Sequence, residues 1–300
     1  MGLFSPKWMT ENKKKIDKAI AAVAQISEQE QLVQVVREAP LYDVKLEALN
    51  RIADQKTLMR FADDLDYSNS LYVYHAARNR LDDEHRKEFI LSTHDADQAA
   101  EAIVDGGCDD TFLRDEVVLG ARSLPCLADC WDGSNASSTA VYKVLTAALA
   151  NIHDEGFLFD VVMARVAGPL DGLYTKNGWD IKLFEIAVWN ITNEELLYDI
   201  VCNGPAGGKA SAAAISQLHD EVKLQAIVDS YISRHGHLDH MSDGWIACEQ
   251  LRHKGNVIFY ERIKPGFWEP RTTGPMTDVS LRKPTLGYMG IIASRQQRKQ

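Results

Sequence analysis

The sequence lacks the features of membrane and secreted proteins. It has no apolar run that approaches the ~20 residues of a transmembrane helix. The apolar stretch before the lysines at 13–15 is too short for a secretory signal peptide. Only five cysteines occur in 300 residues, scattered and odd in number, so they do not form a disulfide framework. We therefore expect a cytoplasmic protein without a membrane partner.

The sequence also lacks the motifs of the common enzyme classes. No G-x-x-x-x-G-K-[ST] phosphate loop and no G-x-S-x-G element is present. The segment GPAGGKAS at 204–211 imitates a phosphate loop, but it follows a helical pattern instead of a strand. Cys126 and Cys130 form a lone C-x3-C pair without a second pair of ligands, which is typical of buried helical cysteines. No cofactor is expected from these motifs.

Basic residues are scarce over most of the chain. Residues 1–262 carry 26 Lys and Arg against 41 Asp and Glu, whereas residues 263–300 carry seven against two. An acidic body disfavours non-specific nucleic-acid binding and favours basic protein partners. We therefore expect another protein as the partner, with a basic segment as one option, and we do not expect nucleic acid. The alternative is that the acids simply keep a helical surface soluble.

What the sequence does contain is a register that recurs on seven large apolar residues, which we call anchors. Alanine lies four residues before every anchor, and Glu, Asp, Asn or His lies two residues after it. An acid, an amide or Lys lies three residues after it, and apolar residues recur six, nine and ten residues after it. The anchors are Ile26, Ile52, Leu81, Ile152, Ile191, Leu218 and Leu251. The alanines are Ala22, Ala48, Ala77, Ala148, Ala187, Ala214 and Ala247.

This register predicts two antiparallel helices joined by a tight turn just after each anchor. The alanine and the anchor form a packing stripe on the first helix. The residue two positions after the anchor is suited to cap the second helix. An acid at the next position is stabilised by the positive end of the helix dipole. Offsets of six, nine and ten define one face of the second helix. Because a single hairpin cannot bury that face, the sequence predicts an all-α solenoid of about eight stacked hairpins.

The motif A-x3-[IL]-x-[DN]-[EQ]-x2-L-x2-[IVF]-[VA] resembles the HEAT family, in particular its short, phycobilisome-lyase-like repeats. The resemblance covers about residues 13–262. It implies a right-handed α-solenoid that usually serves as a protein-binding scaffold. The motif residues are structural, so no catalytic position follows from it.

The register indicates three segments. Residues 1–12 form a lead-in that caps the first hairpin, residues 13–262 form the solenoid, and residues 263–300 form a basic tail rich in Pro and Gly that is partly ordered at best. Either the tail docks on the acidic body or it recruits a partner or an anionic surface. Between Leu81 and Ile152 the register weakens; we expect a helix over 97–104 and an additional anchor at Leu124.

Candidate binding residues fall in two places. Arg60, Asp160 and Asp199 lie between the apolar positions of second helices, so we expect them to face a groove. Tyr174 and Trp179 belong to or follow the turn-rich loop at 167–178, and loops of repeat proteins often carry binding residues. The alternative for these two aromatic residues is that they pack back on the adjacent hairpin.

The sequence His235-Gly-His237-Leu-Asp239-His240 resembles the zinc-binding signature of the metallo-β-lactamase superfamily. That fold needs further ligands from a long downstream region, which this chain does not provide. The alternatives are a non-catalytic zinc or nickel site formed by His235, His237, Asp239 and His240, or a solvated polar loop. We expect the solvated loop, and hence no metal.

These patterns favour a non-enzymatic scaffold that binds a partner segment along its concave face. One alternative is a HEAT-like enzyme that resembles either a DNA glycosylase or a tetrapyrrole lyase. The other alternative is a metal-dependent role of the loop from His235 to His240.

Overall fold

The computed structural model describes residues 7–63, 71–131, 138–166, 180–204, 209–236, 238–239 and 242–253. Within these ranges all regular structure is helical, which confirms the predicted all-α class. None of the helices in these ranges is both long and apolar enough to cross a membrane. The chain divides into two compact units: unit 1 contains Met1–Cys108 and Leu124–Asp129, and unit 2 contains Asp109–Ser123 and Cys130–Gln300.

Unit 1 consists of consecutive helices that pack pairwise. The helices α1, α3 and α5 form one row, and α4 packs on α6. In addition, α2 packs on α3, α4 packs on α5, and α6 packs on α7. The described bounds are α1 (Lys7–Val23), α2 (Gln29–Glu38), α3 (Tyr42–Arg51), α4 (Gln55–Asp63), α5 (Leu71–Arg78), α6 (Asp83–Ser92) and α7 (Ala96–Val104).

Unit 2 repeats this two-row packing. The helices α9, α11, α13 and α15 form one row, and α10, α12 and α14 form the other, which we call the second-helix row. The bounds are α8 (Asp110–Phe112), a π-helix (Leu113–Leu119), a 3-10 helix (Ala121–Ser123), α9 (Ser138–Leu149), α10 (Glu155–Val162), α11 (Asp180–Trp189), α12 (Glu194–Asn203), α13 (Lys209–Gln217), α14 (Glu221–His235) and α15 (Asp243–His253). A further 3-10 helix (Pro125–Trp131) contains residues of both units.

The anchors and their alanines occupy the core as the register predicts. Six of the seven anchors are buried, and the alanine four residues before each of these six has no exposed surface. The first repeat differs, because Ala22 is exposed and Ile26 is only half-buried. The reason is that no described helix precedes α1 and covers its outer side.

The predicted caps are present on most second helices. The side chains of Asp54, Asp154, Asn193 and Asp220 each accept a hydrogen bond from a backbone N–H in the first turn of the helix that follows. These bonds pair donors that a helix N-terminus leaves without an intrahelical acceptor. Glu28 stands at the same position of α2 but makes no such bond.

The register places two helix boundaries wrongly. It assigns the cap of α6 to Asp83, whereas Asp82 accepts the bond from the backbone N–H of His85, at 2.9 Å. Adjacent aspartates allow this shift of one residue, because either carboxylate suits the position. The register also predicts a turn after Leu251, but α15 continues to His253. Arg252, His253 and Lys254 follow Leu251 directly, and none of them is a preferred N-cap residue.

The irregular section contains a turn that the register misses. The helix expected over 97–104 is confirmed as α7, but Leu124 lies between two 3-10 helices and is not an anchor of the predicted kind. The turn lies instead at Gly106 and Gly107, whose φ angles are +93° and +84°. Asp109 then caps α8 by accepting from the backbone N–H of Phe112, at 2.9 Å. The turn was missed because glycine replaces the apolar anchor.

Candidate functional site

Successive turns are joined by side chains that reach from one repeat to the next. The residue three positions after an anchor begins the second helix, and its side chain accepts hydrogen bonds from backbone N–H groups of the following turn. The bonds are Gln29 to Ala53 at 2.9 Å, Gln55 to Asp82 at 3.1 Å, Glu155 to Thr192 and Asn193 at 3.0 Å each, and Glu194 to His219 and Asp220 at 3.0 Å each. Asp110 makes the same bond to His153 at 3.0 Å. We call these contacts turn clamps.

A second set of contacts runs in the opposite direction. The residue just before an anchor donates from its side chain to a backbone carbonyl at the end of the preceding first helix or in its turn. The bonds are Arg51 to Ile26 at 3.1 Å, Arg80 to Leu49, Asn190 to Leu149 at 2.9 Å, and Gln217 to Val188 at 2.9 Å. Helix ends leave such carbonyls without an intrahelical donor. The two sets together join each turn to the next within each unit.

Sequence reasoning did not find the turn clamps. It assigned the position three residues after the anchor to the helix dipole, which favours acids. Gln29 and Gln55 stand at this position although they carry no charge, so the helix dipole does not explain them. What glutamine shares with glutamate is a side-chain oxygen that accepts a hydrogen bond, and this shared feature was the signal in the sequence. The contacts themselves join residues more than 20 positions apart, which local patterns do not reveal.

Asp160 and Asp199 occupy the same position on neighbouring helices of the second-helix row. Each lies eight residues after its anchor, on the side of α10 or α12 that faces away from the buried apolar residues. The Asp160 side chain is 49% exposed and lies 3.8 Å from the Arg165 guanidinium. Asp199 accepts a hydrogen bond from the Asn203 amide. Arg60 has the corresponding place on α4, where it is exposed, but it belongs to unit 1.

A third carboxylate adds to this surface. Glu195 on α12 has a side chain that is 79% exposed, and its Oε1 lies 2.7 Å from Lys223 Nζ on α14. The hydrogen bond to Glu195 raises the pKa of Lys223, so this lysine stays charged and joins the two helices. We call Asp160, Glu195 and Asp199 the acidic face of unit 2. Its chemistry suits cationic side chains, since ionised carboxylates accept strong charge-assisted hydrogen bonds.

The remaining predicted contact residues cannot be placed. Tyr174 and Trp179 lie outside the described residues, as do His237 and His240. Of the predicted metal ligands, the structure therefore describes only His235 and Asp239. Among the described residues, no group of three or more His, Cys, Asp or Glu side chains is arranged to hold a metal ion.

Tyr231 contacts both described members of the histidine loop. Its ring stacks on His235 with centroids 4.4 Å apart, and its hydroxyl donates to Asp239 Oδ2 at 2.9 Å. Burial raises the pKa of the Tyr231 hydroxyl, and the neighbouring Asp239 carboxylate raises it as well. The phenol therefore stays protonated and acts as a donor. The described residues leave the zinc or nickel site as an untested alternative to the expected solvated loop.

Arg78 is the most deeply buried charged residue described and lies in unit 1. Its guanidinium donates to Glu101 at 2.7 Å, to Asp105 at 2.8 Å and to His75 Nδ1 at 3.0 Å. His75 Nδ1 also lies 3.4 Å from Glu101 Oε2, so the imidazole belongs to the same cluster. These bonds join α5 to α7. The arrangement is that of a structural ion-pair cluster, with the arginine only 1% exposed.

The sequence and the fold were compared with known proteins. No family model matches the chain, and no curated protein or solved structure matches it. The resemblance to HEAT repeats therefore stays an expectation from the repeat motif. Function has to be argued from the surface itself.

Proposed function

We propose that the chain is a right-handed, HEAT-like α-solenoid of about eight hairpins that acts as a non-enzymatic scaffold. In this proposal a segment of another protein lies along the second helices. The turn clamps support the stacking of repeats, since the same contact recurs from turn to turn within each unit. The observation that carries the binding role is the pair of half-buried carboxylates, Asp160 and Asp199, at equivalent positions of adjacent helices.

The spacing of this pair defines the partner. Packed helices have axes about 8–10 Å apart, so equivalent side chains on neighbouring second helices repeat at about that distance. A peptide in the polyproline II conformation has three residues per turn and advances about 3.1 Å per residue, so every third side chain lies on the same side, about 9 Å further along. A partner segment with Arg or Lys at every third position would therefore place one cation on each carboxylate. Bidentate Arg–carboxylate pairs would supply both orientation and affinity.

The alternative enzyme functions have less support. A groove that acts on DNA requires basic side chains along the phosphate backbone, whereas the acidic face carries three carboxylates. Residues 1–262 as a whole have an excess of acids over bases. No contact in the described part of the chain favours a tetrapyrrole site.

The proposal is tested by titrating the full chain with a fluorescein-labelled peptide that carries arginine at every third position. The variant Asp160→Lys with Asp199→Lys should bind the peptide at least tenfold more weakly than the wild type, because two attractive pairs become repulsive. The matched control is Asp17→Lys with Asp43→Lys, two exposed acids on α1 and α3 that change the net charge equally. Equal losses in both variants would show a general charge effect and contradict the proposed site.

A further inference from the structure

We propose that two copies of this chain associate through the loop between α2 and α3, with Leu41 and Tyr42 in contact across a twofold axis. This loop belongs to unit 1, whereas the acidic face belongs to unit 2. The inference therefore goes beyond the proposed function and does not rest on it.

The loop exposes two adjacent large apolar side chains. Leu41 and Tyr42 are each 41% exposed. In the described part of the chain only two other large apolar side chains are exposed, Leu91 on α6 and Val222 on α14, and they are not neighbours in the chain. A contact between two copies would remove the apolar surface of both loops from water.

Leu41 occupies a position where leucine weakens the helix. It is the N-cap of α3, and its side chain makes no capping hydrogen bond. Leucine is among the least favoured N-cap residues, whereas Ser, Thr, Asp and Asn pair the free backbone N–H groups. A residue that breaks this local rule while its side chain stays exposed indicates a functional surface.

The loop is short and fixed by hydrogen bonds. The backbone N–H of Ala39 donates to the Val35 carbonyl at 2.9 Å, and the ring of Pro40 restricts the next residue. Nζ of the buried Lys45 on α3 donates to the Arg37 carbonyl on α2 at 3.2 Å. Such a preorganised surface loses little conformational entropy when it binds.

Charge selects a second copy as the occupant. Arg37 on α2 and Asp43 on α3 are both exposed, and neither side chain forms an ion pair with a described residue. In an isologous dimer the same patch meets itself. Arg37 of each copy then lies opposite Asp43 of the other, so the patch supplies both members of two ion pairs.

The balance of charge also favours this end of the chain. The whole chain has a net charge of −10, but residues 7–63 carry ten Lys and Arg against nine Asp and Glu, a balance of +1. Residues 64–300 therefore carry −11. Like-charge repulsion opposes association less through residues 7–63 than through the rest of the chain. The patch is small, so we expect a transient dimer with a Kd of about 10–100 μM.

Sedimentation velocity of the full chain from about 1 to 300 μM measures this association. We expect the mass to rise from 33.6 kDa toward twice that value. Leu41→Asp should raise the Kd about tenfold or more, because it places two carboxylates together at the twofold axis. The control Val222→Asp changes a side chain of unit 2 that is 78% exposed, and it should associate like the wild type.

Leu41→Asp also separates loss of the contact from loss of folding. Aspartate is a favoured N-cap residue, so this variant should unfold about 1–2 °C higher than the wild type at about 1 μM, where both chains are monomers. A lower unfolding temperature would show that Leu41 serves the fold of its own chain, and it would contradict the inference.

Exchange of the two charges tests the identity of the partner. Arg37→Asp and Asp43→Arg should each raise the Kd about threefold or more, because each variant places like charges opposite one another. The double variant should return to within about twofold of the wild type, since opposite charges face each other again. This recovery is expected only when both charges come from copies of the same chain.

Three results would overturn the inference. The wild type stays monomeric at about 300 μM, or Leu41→Asp and Val222→Asp change the Kd equally, or the double charge variant does not recover. The proposed function is judged separately, by titration with the arginine peptide. Leu41→Asp should bind that peptide like the wild type, because the acidic face lies in unit 2.

Discussion

Arg78 shows how a single residue can hold two helices together by charge. Its side chain is 2% exposed and pairs with Asp105, which is 6% exposed, and with Glu101, which is 31% exposed. Burial removes the water that would otherwise solvate these charges, so each depends on its partner. The loss of one member therefore costs more than the pair itself contributes.

We predict that Arg78→Ala lowers the free energy of unfolding by about 3–5 kcal/mol, because it leaves Asp105 and Glu101 without their counter-ion. Urea denaturation followed by circular dichroism measures this change. The control is Arg37→Ala on α2, where the arginine is exposed and the change should stay within about 0.5 kcal/mol. Equal stabilities of the two variants would contradict a structural role of the Arg78 cluster.

Two adjacent glycines allow backbone strain to be separated from a steric clash. Gly106 and Gly107 both have positive φ, at +93° and +84°. A Cβ atom at Gly106 would meet no atom within 4 Å, whereas one at Gly107 would lie 2.3 Å from Asp83 Oδ1. Alanine at either position adopts a conformation that costs about 1–3 kcal/mol.

We predict that Gly107→Ala destabilises the chain more than Gly106→Ala, because only Gly107→Ala also has to displace the Asp83 carboxylate. Thermal unfolding of the two variants under identical conditions measures the difference. Gly106→Ala is the matched control, since it carries the strain without the clash. A larger loss from Gly106→Ala would contradict the described turn.

At the scale of the helix pair, the turn clamps explain why the position after the cap prefers Gln, Glu or Asp. Glu155 is the clearest case, since its two carboxylate oxygens accept from the backbone N–H groups of Thr192 and Asn193. Oε1 also accepts from the Thr192 hydroxyl. Burial acts to raise the pKa of Glu155, but these hydrogen bonds outweigh it and hold the pKa below its ordinary value of 4.5.

We predict a graded loss of stability, in which Glu155→Gln loses less than Glu155→Ala. Glutamine keeps one acceptor oxygen, as Gln29 and Gln55 do, whereas alanine leaves both N–H groups without a protein partner at a cost of about 1–3 kcal/mol. The contribution of Glu155 depends on pH in a defined sense. Because its folded pKa is depressed, the contribution is fully present above pH 4.5 and is lost as the pH falls through the folded pKa.

Denaturation of the wild type and Glu155→Gln between pH 3 and pH 7 measures this linkage. The difference in stability between the two should shrink at the acid end, where Glu155 is protonated and resembles an amide. If the difference in unfolding free energy stays constant over this pH range, the charge of the Glu155 carboxylate does not contribute to the clamp.

Local patterns predicted the helix pairs better than the contacts between them. The alanine and anchor positions follow from helical periodicity, and Asp154 and Asn193 follow from capping chemistry, so both are visible in a short window of sequence. Asp160 and Asp199 could also be placed outward, because an offset of eight falls opposite to six, nine and ten. The clamp of Glu155 on Thr192 spans 37 residues and had no local signal beyond its residue type.

The register failed where the backbone departs from ordinary helix geometry. Gly107 stands where an apolar anchor is expected, because the turn requires a positive φ. Hydrophobic periodicity does not reveal such a backbone requirement. The π-helix at Leu113–Leu119 then shifts the apolar positions out of the expected spacing. In the seventh repeat α15 continues two residues beyond its anchor, to His253, and the helix predicted to follow lies outside the described residues.

At the scale of the whole chain, charge is distributed so that one part complements another. Residues 1–262 have 15 more acids than bases, and residues 263–300 have five more bases than acids. Opposite charge steers association and fixes the register of a bound segment. This division of charge supports a function in binding basic segments and offers no support for binding to nucleic acid.

The most direct test of this function is a charge reversal across the proposed contact. The full chain with Asp160→Lys and Asp199→Lys is titrated with a peptide in which glutamate replaces the arginine at every third position. We predict that the reversed pair restores binding to within about threefold of the wild type with the arginine peptide, and that the wild type does not bind the glutamate peptide. Failure of the reversed pair to bind, with both chains folded, would contradict the assignment of the acidic face as the binding surface.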